Sequence, residues 1–261
     1  MEEYLGNRET LYPSVAGLVV PESPFERFKR ETGNAAFQFS PFFTVFSLIL
    51  LLVLYPGAQL LGNGQDPMEL LKSFDQTMIL IVLIVTVIVQ WGIFLINYLS
   101  LYFEKTGMAG VGVGRIRTVD FAWTVAFLLA SFAIISGLEW TLGQAGIPVS
   151  GDVGLLIPKD PAGKVVWVVV AATAGFCEEV AFRGYVLTRL RLVGRFNSWT
   201  IPVIISSLMF GACHTYQGLP GFIIITIYGA MFSLLYIRTG TLWPCILAHF
   251  LWDFGALFFL K

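Results

Sequence analysis

Charged residues are scarce in this chain. Asp, Glu, Lys and Arg make up 13% of its 261 residues, whereas 56% are apolar, and the mean hydropathy is +0.77. Soluble domains carry about 25% charged residues, so this balance excludes an ordinary soluble domain and indicates a membrane protein with several spans. No basic stripe with interleaved aromatic residues is present, so we expect no nucleic-acid partner.

Cysteine is also rare. The three cysteines, Cys177, Cys213 and Cys245, all lie in apolar segments, so they form no extracellular disulfide framework and imply no oxidising compartment. The first forty residues are polar and of mixed charge, and they lack the apolar core of a cleavable signal peptide. We therefore expect the first membrane helix to direct insertion.

The apolar runs predict an all-α polytopic membrane protein with about seven transmembrane helices, since each run is long enough to span a bilayer. We interpret residues 1–38 as a solvated cytoplasmic tail, although Phe25–Arg30 (FERFKR) has the pattern of a short amphipathic turn on the membrane surface. Residues 39–163 form an N-terminal three-helix region, and residues 164–261 form a C-terminal four-helix core. The predicted spans lie near 41–61, 77–103, 119–142, 164–188, 199–216, 219–237 and 241–260.

Lys and Arg in the loops set the expected orientation, because cytoplasmic loops are enriched in both. Seven spans with a cytoplasmic N-terminus leave few basic residues on the opposite side: Lys72, Lys159, Lys164 and Lys261. The cytoplasmic side then holds Arg8, Arg27, Lys29, Arg30, Lys105, Arg115, Arg117, Arg189, Arg191, Arg195 and Arg238. We expect a multi-pass protein of the plasma membrane with its N-terminus in the cytoplasm.

Two adjacent acidic residues interrupt the fourth predicted span. Glu178 and Glu179 lie within the apolar, small-residue stretch Ala171–Leu190, and a charge in the hydrocarbon core costs several kcal/mol by most estimates. Arg183 follows Glu179 at i,i+4, so these two can form an ion pair on one helical face. Glu178 lies about 100° further round the helix, so we expect its partner on another helix.

Histidine occurs only twice, and both histidines fall in the last membrane segments. His214 lies in the fifth predicted helix, and His249 shares a face of the seventh with Asp253 at i,i+4. A lone membrane histidine usually bonds two helices together. Here the rise of about 1.5 Å per residue brings all these polar groups and Glu178 to similar depths, roughly 12–20 Å from the cytoplasmic side. The pattern predicts one polar site inside the membrane.

These residues resemble three motifs of the CPBP family, the intramembrane proteases of the CAAX-prenyl-protease type II and bacteriocin-processing group. The resemblance begins near Val165 and leaves the first three helices without a motif. The third motif of the family ends in Asn or Asp, so the aspartate here fits. In chain order the motifs are Glu178-Glu179-Val-Ala-Phe-Arg183, Phe210-x-x-x-His214 and His249-x-x-x-Asp253.

The resemblance implies peptide hydrolysis inside the membrane. Glu178 with His214 would activate a water molecule that attacks the scissile carbonyl, and His249 with Asp253 would lie on the oxyanion side. An ionised Asp253 cannot donate to an oxyanion, so it is either protonated or accepts from His249 and orients the ring; we favour the second.

The second carboxylate of the acidic pair has a different expected role. Glu179 with Arg183 would be mainly structural, neutralising the extra charge in the helix. A contribution of this pair to tuning Glu178 is the alternative.

Two other chemistries use the same residues or their neighbours. Glu178, His214 and His249 make up a His₂Glu set that is known for catalytic zinc, but no HExxH spacing places two ligands on one helix, and the family resemblance favours a metal-independent mechanism. We therefore expect no cofactor. A thiol protease using Cys177 or Cys213 is disfavoured, because buried cysteines are usually inert.

The favoured function is that of an intramembrane endopeptidase. Its partners would be the lipid bilayer and a membrane-embedded, lipidated or hydrophobic peptide substrate; the oligomeric state is open. One alternative is a non-catalytic binding or immunity partner with the same fold, which usually loses catalytic residues. The other is a proton-coupled transporter, since buried Glu and His residues also relay protons. Transporters often show paired broken helices in two related halves, whereas the polar residues here occupy one half.

Overall fold

The computed structural model of the chain describes residues 24–54, 72–147 and 152–259. Within these ranges it contains helices and turns and no strand, which confirms the all-α prediction. The N-terminal part has four helices: α1 (Pro24–Thr32), α2 (Pro41–Ile49, continued by a π-helical segment Leu50–Leu54), α3 (Gln76–Phe103) and α4 (Thr118–Gln144).

The C-terminal part is built on one long continuous helix. Its first section is α5 (Pro161–Glu178), which passes into a π-helical segment (Glu179–Val186) and then into α6 (Leu187–Val193). Three further helices follow: α7 (Thr200–Ala212), α8 (Gly218–Thr239) and α9 (Trp243–Phe259). Short 3₁₀ turns Met108–Val111, Asp152–Leu156 and Thr215–Gln217 lie in the connections.

Seven apolar helical segments of the described chain lie where the sequence predicts spans. Four are long and apolar enough to cross a membrane: Gln76–Phe103, Thr118–Gln144, Pro161–Val193 and Thr215–Thr239. Three are shorter: Pro41–Val53, Thr200–Ala212 and Trp243–Phe259. The count of seven spans therefore stays a prediction. Residues 55–61 of the first predicted span and residue 260 of the last lie outside the described residues.

The helix boundaries follow local capping chemistry. Asp75 accepts a hydrogen bond from the Met78 amide before α3, and Asp160 accepts one from the Gly163 amide before α5, where Pro161 occupies the first turn. A carboxylate at these positions satisfies a backbone donor that the helix leaves free, and proline there loses none. At its other end α8 stops at Gly240, whose φ of +67° favours glycine.

The outer helices show the inside-out polarity of a protein in lipid. Large apolar side chains of α3 and α4 face outward; Ile88 is 65% and Leu129 70% exposed. The buried sides carry polar groups such as Asn97, Thr124 and Ser131. Lipid is as apolar as a leucine side chain, so small and polar contacts hold such helices together.

The long helix α5 lies in the middle of this arrangement, with α3 on one side and α9 on another. Gly175 marks the close approach to α9: a Cβ built there would lie 2.9 Å from both the Ile246 carbonyl oxygen and the Phe250 amide nitrogen. The small residues ahead of the acidic pair therefore allow the close helix contact that membrane interfaces favour.

A buried ion pair joins the N-terminal helices to the C-terminal part. Glu104, at the end of α3, accepts from Arg189 of α6 at 2.6 and 3.1 Å, and neither side chain is exposed. The other carboxylate oxygen accepts from the hydroxyl groups of Tyr185 and Thr44. The prediction that Arg189 is a loop charge is therefore wrong, because this guanidinium is buried and neutralised inside the bundle.

Residues Pro24–Thr32 are a packed helix and not a solvated tail. Phe28 of α1 is buried against Phe37 and Leu192, and Glu31 pairs with Arg191 at 2.9 Å. This apolar contact explains why the segment is not a solvated tail: Phe28 of α1 packs against Leu192 at the end of α6. Residues 1–23 lie outside the described residues.

Breaking the buried pair is expected to destabilise the protein. Glu104→Ala leaves Arg189 unpaired in the interior, which costs about 3–5 kcal/mol. We expect a lower melting temperature in detergent and less monodisperse protein. Glu31→Ala is the matched control, because it breaks a partly exposed pair worth about 1 kcal/mol or less. Equal melting temperatures for the two variants would contradict this account.

Candidate active site

The acidic pair lies where the long central helix changes its hydrogen-bond pattern. α5 ends at Glu178, and the π-helical segment begins at Glu179. π-helical segments inside α-helices are rare and occur frequently at functional sites. Here the change of register occurs between two adjacent carboxylates, whose side chains contact different helices.

Glu179 is fully buried and forms the centre of an ionic contact. Its Oε1 accepts from Nη1 of Arg183 at 2.9 Å, the i,i+4 contact expected from the sequence. The same oxygen accepts from Nδ1 of His249 at 2.8 Å. We expected Glu179 to be mainly a structural partner of Arg183. The structure adds a second contact: Glu179 is the carboxylate closest to His249 and fixes the orientation of its ring.

Arg183 is held by two aromatic rings and two hydrogen-bond acceptors, although its Nε is buried without a hydrogen-bond partner. Its guanidinium lies over the rings of Phe210, 4.0 Å to the centroid, and Phe232, 5.0 Å. Nη2 lies 3.5 Å from the Gly229 carbonyl oxygen. These contacts replace solvation for a side chain that is 1% exposed, since an aromatic face and a carbonyl both attract a cation.

Glu178 finds its partner on α3. Nε2 of Gln90 donates to Oε1 of Glu178 at 2.7 Å, whereas Oε2 is buried and has no hydrogen-bond partner. Oε2 lies 3.9 Å from Nε2 of His249. Sequence reasoning expected a partner from another helix but missed Gln90. The available signal was the one amide within the otherwise apolar Met78–Trp91 run, apart from hydroxyl groups.

His249 lies between three carboxylates. Besides the contact of Nδ1 with Glu179, Nε2 lies 3.5 Å from Oδ2 of Asp253, one turn further along α9. The ring stacks on Phe232, with centroids 5.5 Å apart. The shared face of His249 and Asp253 is thus as expected, but the carboxylate of Asp253 is more distant than that of Glu179, and its side chain is 30% exposed.

His214 lies outside the helix in which it was predicted. α7 ends at Ala212, and His214 begins the turn before α8. Its Nδ1 donates to the Phe210 carbonyl oxygen at 2.9 Å, so Nε2 is left as an acceptor. Although both residues are described, no hydrogen bond or ion pair joins His214 to Glu178. The two histidine rings share a neighbour, with centroids 5.0 and 6.3 Å from that of Phe210.

The length of α7 explains how this turn reaches the site. Thirteen residues span only about 20 Å at 1.5 Å per residue, less than the roughly 30 Å of a hydrocarbon core. Irregular backbone at membrane depth is tolerated where protein surrounds it or where it lines a cavity. The turn that begins at His214 is half-buried, and the His214 ring packs beside Phe210.

Of two cavities in the described part of the chain, the larger is remote from these residues. It measures about 390 Å³ and lies where α1 covers the end of α6, without any of the predicted site residues in its wall. The smaller measures about 10 Å³ and lies between α3 and α5, beside the carboxyl group of Glu178. Its lining is Gln90, Ile93, Cys177, Glu178, Ala181 and Phe182.

The alternative metal set is not assembled in this geometry. Among the described residues, no three His, Cys, Asp or Glu side chains are placed as ligands of one metal ion. His214 turns Nδ1 to its own backbone, and His249 turns Nδ1 to Glu179. Cys177 and Cys213 are buried.

Comparison with known proteins identifies the C-terminal part of the chain. Residues 161–255 match the family model described as type II CAAX prenyl endopeptidase Rce1-like. The matched segment runs from the start of α5 into α9 and confirms the family resemblance drawn from the three motifs. Gln90 and Glu104 lie outside it. No curated protein and no solved structure matches the chain.

Removing the cation from the buried pair is expected to reduce the amount of folded protein. Arg183→Ala removes the guanidinium from Glu179 and leaves the imidazole of His249 on that carboxylate. Breaking a buried ion pair in this way costs about 3–5 kcal/mol. Detergent-extracted yield and melting temperature measure the loss. Arg238→Ala, which removes an exposed arginine from α8, is the control. A Glu179→Gln/Arg183→Met double variant should recover part of the yield, and a full yield for Arg183→Ala alone would refute the role.

Proposed function

We propose that this membrane protein with an Rce1-like domain is an intramembrane endopeptidase. Its substrate class is a membrane-anchored or lipidated protein, or a peptide with a hydrophobic segment. The observation that carries the proposal is the difference between two adjacent carboxylates, each of which has one buried oxygen without a hydrogen-bond partner. Glu179 is paired with Arg183, whereas Glu178 is bonded to the neutral amide of Gln90, and its Oε2 lies 3.9 Å from the imidazole of His249. A buried carboxylate in this setting is expensive to keep unless it acts.

The carboxylate of Glu178 acts as the general base. It takes a proton from a water molecule as the water oxygen bonds to the scissile carbonyl carbon, and the carbonyl oxygen becomes an oxyanion. The C–N bond then breaks, and the leaving amine takes the proton back from Glu178. A positioned base of this kind contributes about 10²–10⁴-fold to the rate.

His249 lies on the oxyanion side, and Glu179 orients it. The Nδ1–H of His249 donates to Glu179, which leaves Nε2 facing Glu178 and Asp253. From this position Nε2–H donates to the oxygen that develops negative charge, where a preorganised donor contributes most. A ring that carries a proton on both nitrogens is an imidazolium throughout, and Asp253, 3.5 Å from Nε2, stabilises its positive charge.

His214 completes the site when substrate is bound. Its Nδ1 bond to Phe210 leaves Nε2 as an acceptor, which is the tautomer that a second partner of the reacting water requires. Catalytic hydrogen bonds are often long before the substrate complex forms. We assign His214 the role of this second partner of the reacting water.

The same proposal assigns a plasma-membrane location and a cytoplasmic N-terminus. Its support is the excess of Lys and Arg in the loops of one side, which persists when the buried Arg189 is left out of the comparison. The four long apolar helices support integral insertion itself.

A comparison of protein termini in membranes tests the proposed activity. New termini near membrane segments are expected in cells with the wild type and absent with Glu178→Gln at equal expression. The variant should fold, because a neutral amide replaces a costly buried acid. Glu139→Gln makes the same chemical change at an exposed position of α4 and should behave as wild type. Identical termini for all three proteins would favour the non-catalytic binding partner.

Metal independence is tested on the purified protein. Because Glu178 itself acts as the base in this mechanism, cleavage should continue after treatment with 1,10-phenanthroline and in metal-depleted buffer. A thiol-alkylating reagent should likewise leave the activity intact, since Cys177 and Cys213 are buried. Loss of cleavage that zinc restores would replace this mechanism with a metal-assisted one.

A further inference from the structure

Gln90 contacts the acidic pair from outside the Rce1-like segment. It lies near the middle of α3 and is 5% exposed. A buried amide in an apolar helix carries a cost unless it is hydrogen-bonded. Its Nε2 meets this requirement through Glu178 at 2.7 Å, whereas its Oε1 is buried and unpaired. The amide thus presents one satisfied donor and one free acceptor at the site.

Gln90, whose Oε1 is the free acceptor, lines the small cavity between α3 and α5. The cavity volume of about 10 Å³ matches the roughly 10–15 Å³ that one buried water requires. Such a water also needs two to four polar partners. Gln90 and Glu178 both line this space, and each has a buried oxygen without a hydrogen-bond partner.

We propose that Gln90 is a positioning residue of the peptidase site: its Nε2 fixes Glu178, and its Oε1 accepts a hydrogen bond from a water molecule held between α3 and α5. The inference rests on the proposed function, and it extends the site to a helix that carries no family motif. Gln90 engages Oε1 of Glu178, so Oε2, on the side of His249, is the oxygen that receives the proton.

The chemistry of the amide suits this role better than the available substitutes. A glutamine donates to the carboxylate with one end and accepts from water with the other. Leucine has a similar volume but does neither, and glutamate would place a like charge 2.7 Å from the present acceptor. Gln90→Leu is therefore the informative variant, because it removes both bonds while it preserves the apolar helix.

Asn97 provides a matched control on the same helix. It lies seven residues after Gln90, two turns along the same face, and is fully buried. Its Nδ2 donates only to the Ile93 carbonyl oxygen of its own helix. Asn97→Leu therefore removes a buried amide from α3 without touching Glu178, and it reports what the loss of such a group does to folding alone.

The experiment measures kcat and KM for both variants in vesicles. The probe is an internally quenched peptide that copies a cleavage site found by the comparison of termini. Gln90→Leu should lower kcat by about 10²-fold, the effect of a misplaced reacting group, with KM unchanged. Asn97→Leu should retain both constants. A kcat for Gln90→Leu equal to that of Asn97→Leu would overturn the inference.

An infrared measurement separates this inference from the proposed function. In the purified proteins, the carboxyl band of Glu178 is the one that Glu178→Gln removes. It should shift in Gln90→Leu, because its hydrogen bond is lost, and stay in place in Asn97→Leu. An unshifted band would overturn the role of Gln90 whether or not cleavage is found. Absence of cleavage by the wild type, with the shift present, would count against the peptidase function alone.

Discussion

A charge buried within a membrane helix must be neutralised and hydrogen-bonded, and this constraint organises the C-terminal half of the protein. Glu179 satisfies it at one oxygen, Oε1, which contacts both Arg183 and His249. Arg183 in turn lies over Phe210 and Phe232, so one carboxylate sets the packing of α7, α8 and α9 around α5. Glu178, beside it, is hydrogen-bonded to the neutral amide of Gln90, and each of the two carboxylates keeps one buried oxygen without a hydrogen-bond partner. The bonded oxygen of Glu179 faces the guanidinium of Arg183, so we propose Glu178 as the reactive member of the pair.

The N-terminal helices belong to the same polar framework although they carry no family motif. α3 contacts the central helix at two polar points, Gln90 with Glu178 and Glu104 with Arg189. The first lies at the site and the second near the end of the bundle, so α3 is fixed in register against α5 and α6. A polar contact in lipid specifies register because the surrounding apolar surface does not. The candidate site therefore receives a polar contact from α3, which lies outside the residues that match the family.

The sequence could predict contacts that depend on helical spacing alone. The ion pair of Glu179 with Arg183 and the shared face of His249 and Asp253 follow from i,i+4 periodicity, which any continuous helix provides. Contacts between helices could not be obtained this way: Gln90 is 88 residues from Glu178, and no local pattern joins them. The predicted pairing of His214 with Glu178 assumed a fifth membrane helix that continues to residue 216. In the structure this helix ends at Ala212.

Reconstitution of the purified chain tests the central claim most directly. Vesicles would contain the protein and a synthetic peptide that spans the bilayer and includes a cleavage site identified in membranes, and mass spectrometry would locate the new termini. Our account predicts cleavage within the membrane-spanning part of the peptide by the wild type and none by Glu178→Gln. Cleavage that persists without the Glu178 carboxylate, or that falls only in the water-exposed ends, would contradict it.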